Sequence, residues 1–295
     1  MIEHMYAAPE NPARVVIMGA TSFVGRHTEA ALTARGVEVL GLGSADVDLL
    51  ATDAAQKLSA HLQPDDALVI ISAIAPCKNA NELALNTRMM ASVCDALAES
   101  PVAHVVYISS DAVYDDEANP IDEGTPTTPA SLHGLMHVAR EGMIRNSINC
   151  PLAILRPSLL YGADDPHNGY GPNRFRRLAD DGQPIVLFGK GEERRDHVYI
   201  EDVGELIALS LLHRSQGVMN VATGQVASFH DIAEKVLALH HPDGAIETTP
   251  RQGPMPHGGF RSFVISECQK AFPTFRYADL DTGLARVQQQ TTETS

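Results

Sequence analysis

The feature that most restricts this chain is a short apolar run that ends on a glycine and passes through small residues into a helix. Val15-Val-Ile-Met18 is apolar throughout, as a strand covered on both faces requires. It runs into Gly19-Ala-Thr21-Ser22-Phe23-Val24-Gly25. A helical stretch to about residue 34 follows, with Gly36 where a C-cap belongs. A glycine at the strand end permits a tight turn. A second small residue lets the backbone approach a pyrophosphate, and a third glycine lets helix and strand pack closely. The helix start then offers free N–H groups and a positive dipole end to an anion. The pattern predicts a phosphate-binding loop.

Further buried strands are expected at 37–42, 67–72, 104–109 and 152–155, with helical segments near 53–62 and 82–99. Such alternation predicts an α/β fold: a doubly wound parallel sheet with right-handed crossovers and helices on both faces. After residue 157 the texture changes. Pro157, Gly162, Pro166, Gly169, Gly171 and Pro172 interrupt the periodicity and mark a new substructure. Helical patterns return near 174–181, 202–213 and 228–239. We expect 13–157 with about 183–222 to form the dinucleotide-binding domain. About 158–182 with 223–295 then form a smaller C-terminal substrate-binding region. Residues 1 to about 13 read as a loose arm, and the polar tail 288–295 as frayed.

Composition narrows the partners. With 295 residues, 44% of them apolar, the chain can bury a core of one large unit or two unequal domains. A formal net charge of −15 argues against nucleic acid or an anionic membrane as main partner. Local clusters such as Arg174, Arg176, Arg177 or Arg194, Arg195 still allow an anionic small ligand. Cys77, Cys94, Cys150 and Cys268 are widely spaced and read as reduced, buried thiols of a reducing compartment. Residues 1–14 carry Glu3, Glu10 and two prolines, unlike a secretory leader. No apolar run approaches the ~20 residues of a membrane helix. A cytoplasmic protein is expected.

Several segments keep a familiar order. They are Ile71-Ser-Ala73-Ile-Ala75, Asn86, Ile108-Ser-Ser110-Asp111-Ala-Val-Tyr114, Leu155-Arg156-Pro157 with Tyr161-Gly162, the long run 182–203, and Asn220-Val-Ala-Thr-Gly224. With the loop, they resemble the extended short-chain dehydrogenase/reductase family over residues 14 to about 225. This is the NAD-dependent epimerase/dehydratase group, which acts mainly on nucleotide-activated sugars. Ser22 stands where that family's loop has its middle glycine. The resemblance implies a Rossmann-type sheet and NAD or NADP as cofactor. It would be held by Gly19, Thr21, Ser22, Phe23, Val24, Gly25, Ala73, Ala75, Asn86 and Pro157. Gly41-Leu-Gly43-Ser44 supplies neither acid nor arginine, so the cofactor form stays open. Asp48 resembles the aspartate that meets the adenine in some members and reads equally as a turn carboxylate.

The family's catalytic pattern is Tyr-x-x-x-Lys on a helix, with a Ser or Thr on the preceding strand. In Ser131-Leu-His133-Gly134-Leu-Met-His137-Val-Ala-Arg-Glu141, Gly134 and Glu141 match the family. His133 then stands at the Tyr position and His137 at the Lys position. The implied roles give His133 the proton exchange and His137 a supporting part. Ser110 and Asp111 position the reacting hydroxyl or carbonyl. Imidazole is shorter than phenol, and neutral His137 lacks the fixed charge of lysine. Two readings stand side by side. One is an NAD(P)-dependent nucleotide-sugar epimerase, dehydratase or reductase with a histidine acid/base. The other is a catalytically altered or inactive dinucleotide-binding protein with a binding or regulatory role. His133, His137 and Glu141 share one helix face, and His-x-x-x-His occurs in zinc sites. Without a second ligand cluster, no metal is expected.

For the substrate, the resemblance points to Arg195 against the nucleotide, and to Asn173, Arg174 and Arg261 as further contacts. A planar guanidinium suits phosphate. Arg176 and Arg177 read as a solvated helix face. A second copy of the chain is the expected protein partner, pairing as a homodimer through the 82–99 and 131–148 segments.

Overall fold

The computed structural model describes residues 1–294. Its first half holds β1 (Ile2–His4), β2 (Arg14–Met18), α1 (Phe23–Thr33), β3 (Val39–Leu42), α2 (Ala54–Ser59), β4 (Asp66–Ile70), α3 (Ala80–Glu99), β5 (His104–Ile108), α4 (Leu132–Ser147) and β6 (Leu152–Pro157). Then follow β7 (Leu159–Tyr161), α5 (Pro172–Asp180), β8 (Ile185–Phe188), β9 (Arg194–Tyr199), α6 (Ile200–Leu212) and β10 (Ser215–Val221). The chain ends with β11 (Val226–Ser228), α7 (Phe229–His240), β12 (Ile246–Thr249), β13 (Phe260–Arg261), α8 (Ser266–Ala271) and α9 (Leu280–Thr294).

Seven strands form the main sheet in the order β1-β10-β6-β5-β4-β2-β3. All pair in parallel except β1, which runs antiparallel to β10. The apolar run of β2 serves two cores at once. Val15 and Ile17 pack with Leu32 of α1 and Val203 of α6. Val16 and Met18 pack with Leu58 of α2, Val93 of α3 and Ile144 of α4. Successive side chains point to opposite faces, so only a continuous apolar run can fill both layers. From β2 the chain turns first to β3 on one side and then to β4 on the other. That reversal opens a crevice at the carboxyl ends of β2 and β4, where doubly wound sheets bind ligands.

Two expectations about the chain ends fail. Residues 2–4 are not a loose arm. Ile2 pairs with Gly217 and His4 with Ser215, and the His4 ring bonds Ser215 Oγ at 2.8 Å and the Ala271 carbonyl at 2.9 Å. The strand covers the outer edge of β10, whose backbone groups would otherwise be bare. Three residues are too few to show a periodicity. The polar tail is not frayed through 288–294 either. It finishes α9, which buries Leu284 and Val287. Gln290 donates to the Glu201 carboxylate at 2.7 Å and to the Tyr199 hydroxyl at 3.1 Å. Ser295 lies outside the described residues.

The remaining strands make two small sheets. One joins β7, β9, β11 and β13, and the other pairs β8 with β12. Within 183–222, α6 and β10 belong to the layers of the main sheet, whereas β8 and β9 pair in the small ones. Asp196 of β9 fastens the two parts together. Its carboxylate accepts from Ser158 Oγ, Thr223 N and Oγ1, and Gly224 N, all within 3.0 Å. No helix is long and apolar enough to cross a membrane among the described residues.

Candidate active site

The loop after β2 has the backbone its glycines allow. Gly19 adopts φ +97°. A β-carbon on Gly25 would lie 2.2 Å from the Gly19 carbonyl oxygen, so the first turn of α1 can sit on the loop only with glycine there. Ser22 is the N-cap of α1, its Oγ accepting from Gly25 N at 3.1 Å. The residue that departs from the glycine pattern therefore has a use of its own. Arg26 donates to the Thr21 carbonyl at 2.6 Å and pairs with Asp164, which His27 also contacts.

From this loop a cleft of about 1080 Å³ extends towards the small sheets. Ser22, Phe23 and Val24 line one part and Ala73, Ala75 and Pro157 another. Ser110, Asp111, His133 and His137 line it too, as do Asn173, Arg195 and Arg261. Gly19, Thr21 and Gly25 belong to the phosphate loop itself. Asp48 is not on the cleft wall. Its Oδ1 accepts from Leu50 N at 2.9 Å and caps a turn. Asn86 is fully buried, and its carboxamide clamps both backbone groups of Ile74 at 2.9 Å. It thus braces the wall behind Ala73 and Ala75. Arg174 is exposed on α5, away from the lining. Of its neighbours, Arg176 is not solvated. It is buried against Asp180 at 3.1 Å and the Ala163 carbonyl at 2.9 Å.

The two histidines stand edge to face on α4, ring centroids 4.9 Å apart. Their helix reaches the site because Gly134 lets it touch the short 3-10 turn at 111–113, which follows β5. His133 receives the Cys77 backbone N–H on Nδ1 at 3.4 Å. Burial pushes its pKa below the ordinary value, opposed by Asp111. His137 is 5% exposed and meets the Tyr107 hydroxyl at 2.9 Å. Burial first, then His133 and Arg140, hold its pKa well below the usual range. Burial thus disfavours the charged form of both rings. Glu141 does not join them. It is paired with Arg156 at 2.6 and 2.8 Å and accepts from Ser109 at 2.7 Å.

Ser110 Oγ caps the 3-10 turn by accepting from Ala112 N at 3.1 Å. The Asp111 carboxylate accepts from Arg261 Nε at 3.0 Å. Arg261 also donates to the Asp111 carbonyl at 2.7 Å, meets His257 Nδ1 at 2.9 Å, and is only 2% exposed. Arg195 pairs with Glu193 at 2.7 Å. Asn173 faces the cleft, but its carboxamide is spent on Gly162 N and the Leu160 carbonyl, both at 3.1 Å.

Sequence reasoning passed over several lining residues. Arg251 lies on the cleft, its Nη2 3.0 Å from the other oxygen of Glu193. Tyr170, Phe188 and Phe229 form an aromatic wall, with Tyr170 centroid distances of 4.9 and 4.6 Å. These residues lie 18 to 81 positions apart in the chain, and no local spacing announces them.

Comparison with known proteins agrees with this geometry. Residues 15–222 match the model of the NAD dependent epimerase/dehydratase family. A putative UDP-glucose 4-epimerase of Methanocaldococcus jannaschii is 26% identical over 66% of this chain, and the match spans 65% of that relative's length. The dTDP-4-dehydro-6-deoxy-D-allose reductase of Streptomyces bikiniensis is 24% identical over 76% of the chain and 80% of its own length. Among solved structures, the Thermus thermophilus UDP-glucose 4-epimerase in complex with NAD shares the fold. Its TM-score is 0.82 at 22% identity, covering 96% of this chain and 100% of that one. With a family model matched across well over half of its length, and the loop, strand and helix motifs gathered on one cleft, this chain belongs to the NAD-dependent epimerase/dehydratase family.

Proposed function

We propose that the protein is an NAD(P)-dependent oxidoreductase-type enzyme acting on a nucleotide-activated sugar, in the epimerase, dehydratase and reductase range. The observation that carries this reading is the junction of two parts on one cleft. The glycine loop and α1 N-terminus lead directly to Ser110, His133 and His137. The residues present fit a dinucleotide. Gly19, Ser22 and Gly25 leave room for a pyrophosphate, and Ala73, Ala75 and Pro157 give a wall of small or flat side chains. When bound, the nicotinamide would give or take a hydride. The protein's own groups would do the rest: Ser110 and His133 bind the reacting oxygen, and His137 backs His133. Relatives named for UDP- and dTDP-sugars, and a neighbour solved with NAD, support the same class of ligands.

On this reading, the smaller region of 158–182 and 223–295 closes the cleft from the substrate side. The chain pairs with a second copy through α3 and α4. The test begins with calorimetric titration by NAD+, NADH, NADP+ and NADPH, after analysis of any dinucleotide that co-purifies. Nucleotide sugars are then screened for turnover. Micromolar binding of one form followed by turnover bears the proposal out. Dinucleotide binding without turnover on any sugar favours a binding or regulatory protein, and no binding of any form ends the oxidoreductase reading.

A further inference from the structure

Both histidines of the site are occupied at Nδ1, each by a group that donates. On His133 the donor is the Cys77 backbone N–H, which has no other capability. The ring proton of neutral His133 is therefore on Nε2. On His137 the neighbour is the Tyr107 hydroxyl, 1% exposed, with no other hydrogen-bond partner among the described residues. Were the imidazole the donor, the phenol hydrogen would be buried without an acceptor, at a cost of about 1–3 kcal/mol. Tyr107 therefore donates, and His137 too carries its proton on Nε2. Burial pushes the Tyr107 pKa up to about 12, so the hydroxyl keeps the hydrogen it gives.

Beneath the pair lies a cation without a counterion. Arg140, one turn further along α4, is 0% exposed. It donates to the Ser72 carbonyl at 2.6 Å and to Asn86 Oδ1 at 3.3 Å, and it packs 5.4 Å from the centre of the Tyr107 ring. No carboxylate lies within ion-pair distance of it among the described residues. An unpaired buried charge opposes a second positive charge beside it. The groups facing the two rings are thus Asp111, Cys77, Tyr107, Arg140 and the rings themselves, and Asp111 is tied to Arg261. The other carboxylates on or near the cleft are engaged as well. Glu141 is held by Arg156, Glu193 by Arg195 and Arg251, Asp165 by Arg177, and Asp196 by Thr223 and Gly224. Asp116 lies 3.3 Å from His257.

We propose that His133 and His137 are held as neutral Nε2–H donors, His133 by the Cys77 backbone and His137 by Tyr107 over Arg140. Each Nε2–H can then donate to a carbonyl or alkoxide oxygen, and neither ring has a free nitrogen to take the proton of an alcohol. Extending the oxidoreductase reading above, the carbonyl carbon takes a hydride from reduced nicotinamide and the C–O π pair moves onto oxygen. The alkoxide, held by His133 Nε2–H and the Ser110 hydroxyl, would take a proton from water, which leaves as hydroxide. The products are an alcohol, hydroxide and oxidised nicotinamide. Tyr107 and Arg140 are positioning residues in this scheme.

The test is long-range 1H–15N correlation NMR on the full-length, unliganded protein with 15N-labelled histidine. Both rings are expected neutral with the proton on Nε2, and their shifts unchanged between pH 7 and 8. Tyr107→Phe should give His137 a mixture of tautomers while His133 keeps its own, and Arg140→Lys should leave both as in the wild type. A proton on Nδ1 of His133, or a titration midpoint of either ring inside that window, overturns the proposal. So does an unaltered His137 in folded Tyr107→Phe. If that variant does not fold, the wild-type spectrum decides through His133. None of these readings needs a dinucleotide, so failure of cofactor binding and failure of this proposal are separate results.

Discussion

Gly134 and Ala112 touch so closely that a β-carbon on Gly134 would lie 2.0 Å from the Ala112 carbonyl oxygen and 2.5 Å from Pro129 Cβ. The contact fixes how far α4 stands from the turn carrying Ser110 and Asp111, and so the distance from His133 to Ser110. Gly134→Ala forces helix and turn apart. The expected outcome is a loss of about 1–3 kcal/mol, the range for overpacking a filled site, read from urea unfolding. Turnover on any substrate found by the screen should fall much further than stability does.

On the proposed reading, His133→Ala removes a donor to the reacting oxygen and leaves the phosphate loop untouched. Loss of one such donor lowers turnover by about 10²–10³. Dinucleotide affinity should stay within a few-fold of wild type, because Ser22, Phe23 and Val24 come from a different element. Single-turnover kinetics beside calorimetry separate the two effects. Unchanged turnover would remove His133 from the chemistry.

The Glu141–Arg156 pair ties α4 to β6 under the site. Burial by itself would raise the Glu141 pKa, but hydrogen bonds and charge from Arg156, with Ser109 and Arg145, outweigh it and leave the pKa below the usual glutamate value. A depressed carboxylate stabilises the fold above its unfolded pKa of about 4.3, and that stability is lost as pH falls through the folded value. Glu141→Gln leaves Arg156, 4% exposed, without its counter-charge. A loss of about 3–5 kcal/mol at pH 7 is expected. Urea midpoints of wild type and variant should converge as pH drops below 4. A gap that stays constant down to pH 3 contradicts the assigned role.

The main sheet is legible wherever burial on both faces forces a continuous apolar run, as in β4 and β5, whose residues are all buried. The phosphate loop is legible because backbone sterics at Gly19 and Gly25 leave few other residues possible. β1, β7 and β11 escape because three residues carry no period. The site is legible only as far as it sits on one element. His133 and His137 share a helix face, whereas Arg251 meets Glu193 across 58 positions of chain. Asn86 and Asp48 show the limit of motif position. Asn86 spends its carboxamide on the Ile74 backbone, and Asp48 uses one carboxylate oxygen on Leu50 N, so a motif position by itself does not assign a ligand contact.

Glu193 lies between two arginines, 2.7 Å from Arg195 and 3.0 Å from Arg251, with all three facing the cleft. One carboxylate shared by two guanidinium groups leaves a net charge of about +1 where a diphosphate would bring about −2. An incoming diphosphate must therefore compete with Glu193 for the N–H groups of Arg195, whereas Arg251 Nε and Nη2 have no hydrogen-bond partner among the described residues. Glu193→Gln removes the competing charge and keeps the side chain's volume. Calorimetric titration with UDP should then show affinity raised about ten-fold, equivalent to about 1.4 kcal/mol. Arg251→Met in the wild-type background should weaken UDP by a comparable factor. The gain should shrink with added salt, since it is a charge effect at a partly open site. If Glu193→Gln weakens UDP binding instead, the carboxylate is positioning the arginines rather than opposing the ligand, and the diphosphate must be sought elsewhere on the cleft.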